Sequence, residues 1–190
     1  MKVRCRVHHH SFKARAGRWT ASAAFVLCTA CPAGRALAAC NGGVTVTSTI
    51  VISANCDGGS TTPLRMNTGA DVTINSGVTV ANNSGSGRNG DPVSVLSTST
   101  SATLTNNGSI YTAAQWGITN NGTLDTLINT GTIGSGVRRA IVNNGGTIGT
   151  ITNTGTVSGP FADITASGGS IGTLNNLQGA GTAGGALTYA

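Results

Sequence analysis

A short phrase repeats along the second half of this chain and limits what the chain can fold into. It reads Ile/Leu, any residue, Asn, Asn/Thr, Gly, Thr/Ser, Ile/Val/Leu. Its copies begin at Leu104, Ile118, Leu127, Ile141, Ile151 and Ile164, with a decayed copy at Leu174. Alternate copies lie 23 or 24 residues apart, so the repeating unit is a pair of phrases. A fixed internal period of about 20 to 50 residues is typical of stacked repeat architectures.

The residues between the phrases indicate strands. Val44–Thr47, Val72–Ile74 and Val78–Val80 alternate apolar with polar side chains, the pattern of a strand with one buried face. No segment shows the spacing of an amphipathic helix. The sequence therefore predicts an all-β fold, a right-handed parallel β-helix (β-solenoid) with rungs of about 23 residues.

The phrase itself predicts how each rung is built. Rungs stacked about 4.8 Å apart place equivalent Ile, Leu and Val in apolar columns and equivalent Asn and Thr in hydrogen-bonded ladders. Asn-Gly and Thr-Gly are expected at corners, because Gly adopts the left-handed backbone region without a Cβ penalty. The longer spacers, 111–117, 134–140 and 158–163, are expected to form a third face or protruding loops.

Three segments are predicted along the chain. Residues 1–39 are typical of a signal peptide, with a basic start, an apolar stretch over 21–33 and small residues before a cut between Ala39 and Cys40. Residues 40–103 are expected to be an N-terminal solenoid with eroded repeats. Residues 104–190 hold the regular repeats and are expected to be truncated at the C-terminus, for about six or seven rungs in all.

The net charge of +6 comes from the leader. Seven of the eleven basic residues precede position 40, and from Cys40 onward four Arg oppose five Asp. Binding to nucleic acid needs clustered Lys and Arg in the mature chain, so the composition argues against a nucleic-acid partner.

The two cysteines that follow the leader predict a disulfide. Cys40 and Cys56 are expected to pair in an oxidising compartment and to staple the N-terminal end of the solenoid. A second interpretation stays open, because Leu37-Ala38-Ala39-Cys40 is similar to a lipobox. In that case Cys40 would be acylated and Cys56 would lack its partner.

The segment after the leader predicts no catalytic, cofactor or metal site. From Cys40 onward it contains no His, Glu or Lys, the commonest general bases, and its five Asp are dispersed. Asp125 and Asp163 fall at different repeat positions, so they are not expected to share a face.

A few other residues suggest ligand contacts that the sequence leaves open. Arg138-Arg139 could touch an acidic glycan or be only solvated. Tyr111 and Trp116 could stack on sugar or cover the edge of the coil. Thr-x-Thr steps such as Thr45-Val46-Thr47 suggest an ice-binding face, but they are not expected to recur at one fixed rung position.

Two long stretches carry a family resemblance. Asn143 to Gly159, NNGGTIGTITNTGTVSG, and Gly168 to Gly181, GGSIGTLNNLQGAG, resemble the passenger repeats of bacterial autotransporters, the type V self-secreted proteins. The resemblance implies a Sec signal, a right-handed parallel β-helical passenger, a C-terminal β-barrel in the outer membrane, and a role as adhesin or self-association factor. Segments of the barrel type are not found up to Ala190, so a partial passenger is expected.

These observations predict a non-enzymatic protein exported through the periplasm of a Gram-negative cell. It would lie at the cell surface, at the outer membrane through a separate barrel, or be secreted. Its expected partners are copies of itself, or host and bacterial surface glycans and proteins, and no cofactor is expected. Two alternatives are a polysaccharide-processing β-helix enzyme and a Cys40-acylated surface lipoprotein.

Overall fold

A computed structural model describes residues 35–37, 40, 42–84 and 90–177 of the chain. The predicted signal peptide lies outside them apart from the backbone of 35–37, and so do residues 178–190, where truncation is predicted. The described part is an all-β parallel solenoid with turns of about 23 residues and almost no helix, which confirms the predicted fold class. Within it, no helix is long and apolar enough to cross a membrane.

Each rung contributes one strand to each of three sheets, and every pairing between strands is parallel. The chain passes from sheet I to sheet II to sheet III and then returns to sheet I one level higher, for about six rungs. Handedness stays a prediction from the crossover rule.

The strands are as follows. Sheet I contains β2 (Val44–Val46), β5 (Leu64–Met66), β8 (Val93–Val95), β11 (Ile118–Asn120), β14 (Ile141–Asn144) and β17 (Ile164–Ser167). Sheet II contains β1 (Arg35–Leu37), β3 (Thr49–Ile52), β6 (Ala70–Ile74), β9 (Ala102–Asn106), β12 (Thr123–Asn129), β15 (Thr147–Asn153) and β18 (Ser170–Asn176). Sheet III contains β4 (Cys56–Asp57), β7 (Thr79–Asn82), β10 (Ser109–Thr112), β13 (Thr132–Ser135) and β16 (Thr156–Ser158).

The core consists of apolar columns that run along the solenoid. Equivalent residues of successive rungs pair in register and point inward, where they are buried. These columns are Leu64, Val93, Ile118, Ile141 and Ile164 in sheet I; Val72, Leu104, Leu127 and Ile151 in sheet II; and Val80, Ile110, Ile133 and Val157 in sheet III. Each large side chain contributes about 1.5–3 kcal/mol by leaving water.

The paired phrases mark two of the three corners of the rung. Copies that begin at Leu104, Leu127 and Ile151 end strands of sheet II and lead into sheet III. Copies that begin at Ile118 and Ile141 end strands of sheet I and lead into sheet II. Each longer spacer begins with the last residues of a strand of sheet III and continues as a loop. The spacers therefore form part of the third face and the connections that return to sheet I.

The third residue of the phrase forms an asparagine ladder inside the coil. At the corner between sheets II and III, Asn106 donates to Asn129 at 2.8 Å, Asn129 to Asn153 at 2.7 Å, and Asn153 to Asn176 at 2.9 Å. At the corner between sheets I and II, Asn120 donates to Asn143 at 2.8 Å. Stacked Asn side chains bond to one another at these levels, which confirms the predicted Asn ladders and places them in the interior. The Thr part of the prediction is wrong for sheet II, where the stacked Thr103, Thr126 and Thr150 make no hydrogen bond to one another.

The N-terminal rungs close the same corners with apolar side chains. The register that continues to Asn106 holds Ile52 and Ile74 at the preceding levels. The register of Asn120 likewise holds Met66 and Val95. The ladder positions are apolar there, and the phrase with Asn as its third residue is therefore not found between 40 and 103, although the same coil continues through both segments.

The phrase glycines correct part of one physical expectation. Positive φ occurs at Gly42, Gly43, Gly59, Gly69, Gly77, Gly145 and Gly168. Gly145 and Gly168 are the phrase glycines of the copies that begin at Ile141 and Ile164, so the left-handed corner is confirmed there. The phrase glycines of the corner between sheets II and III do not have positive φ. Instead, a Cβ on Gly131 would fall inside 3.0 Å of the Gly108 carbonyl one level below, and a Cβ on Gly155 would do the same against Gly131. Glycine is required at these corners because the backbones of successive levels approach closely, and left-handed geometry is not the reason.

Candidate interaction surface

The outer face of sheet I is covered by the connections that arrive from sheet III. Its outward column contains Thr119, Val142 and Thr165, all of which are buried. Asp91, in the connection before β8, accepts the Thr119 hydroxyl at 2.6 Å and the Trp116 amide at 3.2 Å. Along these levels sheet I therefore has no open face for a partner.

The outer face of sheet III is irregular. One column repeats hydroxyls at Thr79, Ser109, Thr132 and Thr156. The next outward column holds a different residue type at every level. In this column the ring of Tyr111 lies over Gly134, and its hydroxyl points toward Gly136. Tyr111 thus packs on the outer side of sheet III and remains 40% exposed, which fits both roles that the sequence leaves open.

The outer face of sheet II is the most regular surface of the described molecule. The first outward column runs Thr49, Asp71, Thr103, Thr126, Thr150 and Thr173. The second runs Val51, Thr73, Thr105, Ile128, Thr152 and Asn175. Every residue in both columns is half-buried or exposed, so no described segment covers this face.

The hydroxyls on this face point to solvent. Within the described ranges, the side chains of Thr103, Thr105, Thr126, Thr150 and Thr152 make no hydrogen bond to another protein group. Asp71 is the one charged residue in the two columns, and it accepts a long hydrogen bond of 3.5 Å from Thr49. From β9 to β18 the two columns are uncharged and offer a partner hydroxyls, methyl groups and one amide, while the exposed carboxylate of Asp125 on β12 lies beside them.

This arrangement overturns the expectation that Thr-x-Thr steps do not share a rung position. Thr103-Leu104-Thr105 and Thr150-Ile151-Thr152 occupy the same place in sheet II, two levels apart. The example taken from sequence, Thr45-Val46-Thr47, lies in sheet I and its corner. The sequence repeat could have predicted this shared position. In each copy of the phrase that lies in sheet II, a threonine stands directly before the first residue of the phrase: Thr103, Thr126, Thr150 and Thr173.

The predicted disulfide partners lie together. The Cys40 and Cys56 sulfurs are at bonding distance and their Cα atoms are 4.9 Å apart. Cys56 continues the core column of sheet III by pairing with Val80, and both cysteines are 2% exposed. A lipid on the Cys40 sulfur and this disulfide exclude one another, because each needs the same atom.

The predicted cleavage point lies beside a sheet edge. Arg35–Leu37 pairs in parallel with Ile50 to Ile52 as the first strand of sheet II. The Cys40 amide, which belongs to the predicted scissile bond, donates to the Cys56 sulfur at 3.1 Å in the buried interior.

The aspartates do not converge. Asp125 is exposed on β12 and accepts from Ser101 at 2.6 Å, whereas Asp163 is buried before β17 and accepts from the Gly159 amide at 3.1 Å. Among the described residues, no group of three or more His, Cys, Asp or Glu is placed to hold a metal ion.

The arginine pair and Trp116, the remaining candidate ligand contacts, differ in how far they are exposed. Arg138 is exposed at a loop tip, while the Nε of Arg139 is buried without a hydrogen-bond partner. The indole nitrogen of Trp116 is also buried without one. The two arginines therefore differ in exposure, and the polar edge of Trp116 is not presented outward.

Comparisons with protein-family models, with curated proteins and with solved structures gave no match for this chain.

Proposed function

We propose that this protein is an exported, non-enzymatic, passenger-like β-helix that acts in adhesion or self-association at a Gram-negative cell surface. The observation that carries the proposal is the outer face of sheet II, whose first column repeats a threonine at four consecutive levels from β9 to β18. A partner with a repeating surface can touch many levels at once. Contacts that are weak singly then add through effective concentration.

The leader and the cysteines support export. A basic start, a short apolar stretch and small residues before Cys40 are typical of a secreted precursor. The Cys40–Cys56 geometry suits an oxidising compartment such as the periplasm. Since Cys40 is buried and bonded, the proposed order is translocation, cleavage after Ala39, and then folding and oxidation.

Cleavage would also change the N-terminal end of the rod. It removes β1, whose Arg35 and Leu37 pair with Ile50 and Ile52, and leaves β3 as the first described strand of sheet II. An unpaired strand edge is a template for pairing with another chain. Cleavage therefore offers one route to end-to-end self-association, beside contacts through the side of the rod.

Intact mass and cell assays test the proposal. In a Gram-negative host, we expect a mature chain that starts at Cys40, carries the disulfide and bears no lipid. Cells that display it should aggregate or bind glycan- and protein-coated surfaces more than cells displaying the chain with Thr126 and Thr150 replaced by Lys. A lipid adduct on Cys40 would favour the lipoprotein alternative, and full-length retention in the cytoplasm would contradict export.

A further inference from the structure

Four consecutive levels of sheet II form a two-dimensional array of hydroxyl and methyl groups. One column holds Thr103, Thr126, Thr150 and Thr173, and its neighbour holds Thr105, Ile128, Thr152 and Asn175. Because the pairing keeps one register from β9 to β18, each column repeats at the strand spacing of about 4.8 Å. Side chains two residues apart on one strand are separated by about 6.6 Å.

We propose that this array is an ice-binding face. The two repeat distances lie close to those between oxygen positions on planes of hexagonal ice. Hydroxyls held at such positions can replace lattice water molecules, and the methyl groups between them order the adjoining water. The proposal goes beyond adhesion and depends on neither export nor self-association.

Three properties of the face favour ice over a dissolved ligand. It is rigid, because every threonine stands on a strand paired on at least one side and underlain by core residues such as Leu127 and Ile151. Its hydroxyls are unpaired within the described protein, so they are free to bond to water. Its two columns carry no charge from β9 onward, and the carboxylate beside them, Asp125 on β12, accepts the Ser101 hydroxyl at 2.6 Å.

The same properties argue against a crystalline polysaccharide as the occupant. Sugar rings are usually held by aromatic side chains, and neither column contains one. Tyr111, the aromatic residue in an outward strand position, stands on sheet III instead. The array is therefore assigned to the regular surface of ice, and binding to cellulose is a competing outcome of the test.

The experiment measures the thermal hysteresis of the purified chain and the adsorption of fluorescently labelled chain to a single ice crystal. We expect a gap between the melting and freezing points, and labelled crystal planes. Thr126→Tyr and Thr150→Tyr should each abolish both signals, because a bulky ring breaks the array. Tyr is a favourable strand residue, so these variants are expected to fold, as far-UV circular dichroism will check.

Thr132→Tyr is the matched control, since Thr132 is an exposed threonine of similar setting on sheet III. It should keep both signals. The proposal is overturned if the parent chain leaves ice unlabelled, if it binds crystalline cellulose but not ice, or if Thr132→Tyr abolishes adsorption as fully as Thr150→Tyr. Failure of cell aggregation alone would overturn the adhesion proposal and leave ice adsorption as a separate result.

Discussion

Replacing Asn129 tests whether the internal ladder holds the rungs together. The Asn129 amide nitrogen donates to Asn153 Oδ1 at 2.7 Å and to the Thr156 carbonyl at 3.1 Å, and its own oxygen accepts from Asn106 at 2.8 Å. The side chain is 1% exposed, so water cannot take over these bonds. In Asn129→Ala, the buried Asn153 Oδ1 and the partly buried Thr156 carbonyl each lose a donor, and each loss costs about 1–3 kcal/mol.

The expected loss is therefore about 2–6 kcal/mol in the free energy of unfolding. Asn106 retains a second acceptor, the Thr132 carbonyl at 3.0 Å, so its loss is partial. The measurement is urea unfolding followed by far-UV circular dichroism, in which a lower midpoint at unchanged slope reports a loss of stability. Asn176→Ala is the matched control, because Asn176 ends the same ladder in an exposed position and should change stability by no more than about 0.5 kcal/mol.

A double-mutant cycle makes the ladder test sharper. If Asn129 and Asn153 act as one network, replacing both by Ala should cost less than the sum of the single changes, by about 0.5–3 kcal/mol. The reasoning is refuted if Asn129→Ala costs no more than Asn176→Ala. Strict additivity would show that Asn129 and Asn153 are not coupled and do not act as one network.

Three further changes probe other parts of the fold. Gly131→Ala puts a Cβ inside 3.0 Å of the level below and should cost about 1–3 kcal/mol in urea unfolding, whereas Gly134→Ala meets its nearest atom at 3.4 Å and should be tolerated. Reducing the Cys40–Cys56 disulfide, which spans 16 residues, should lower stability by about 3 kcal/mol, with hydrogen exchange rising first at the N-terminal levels. Asp91→Ala removes the acceptor of a buried hydroxyl at 2.6 Å and should cost about 1.5–3 kcal/mol in urea unfolding.

Each of these predictions has an outcome that contradicts it. Equal losses in the two glycine variants would mean that the corner does not depend on close stacking. An unchanged urea midpoint after reduction would remove the role of the disulfide as a staple. Asp125→Ala is the control for Asp91, because Asp125 is exposed; an equal loss in both would show that the buried contact is not special.

Much of the architecture could be predicted because its signals are local in the chain. Alternation over a few residues marks a strand, and a period of 23 or 24 residues marks stacking, whatever the rungs contact. The Cys40–Cys56 pair was also predictable, since two cysteines follow the leader and one bond uses both. The signal peptide, the autotransporter relationship and adhesion stay predictions.

The meaning of individual residues was harder to predict. The sequence predicts left-handed corners at the phrase glycines, which holds for Gly145 and Gly168, whereas Gly131 and Gly155 are required by the carbonyl of the level below. Spacing along the chain does not show that Thr-x-Thr steps share a position, because that position depends on register with other levels. In both cases the deciding neighbour lies one rung away, about 4.8 Å in space.

The sequence by itself therefore determined a stacked, all-β coil with ladders of Asn, because repetition alone forces equivalent residues to lie above one another. Tertiary structure decided whether each residue faces the interior of the coil or its surface. Asn129 and its equivalents lie inside, and Ile52 and Ile74 occupy the same corner in the earlier rungs. Thr103, Thr126 and Thr150 lie together on an open face. The physical reason is that an outward column exists only after the register between rungs is set, and that register is a property of the packed coil.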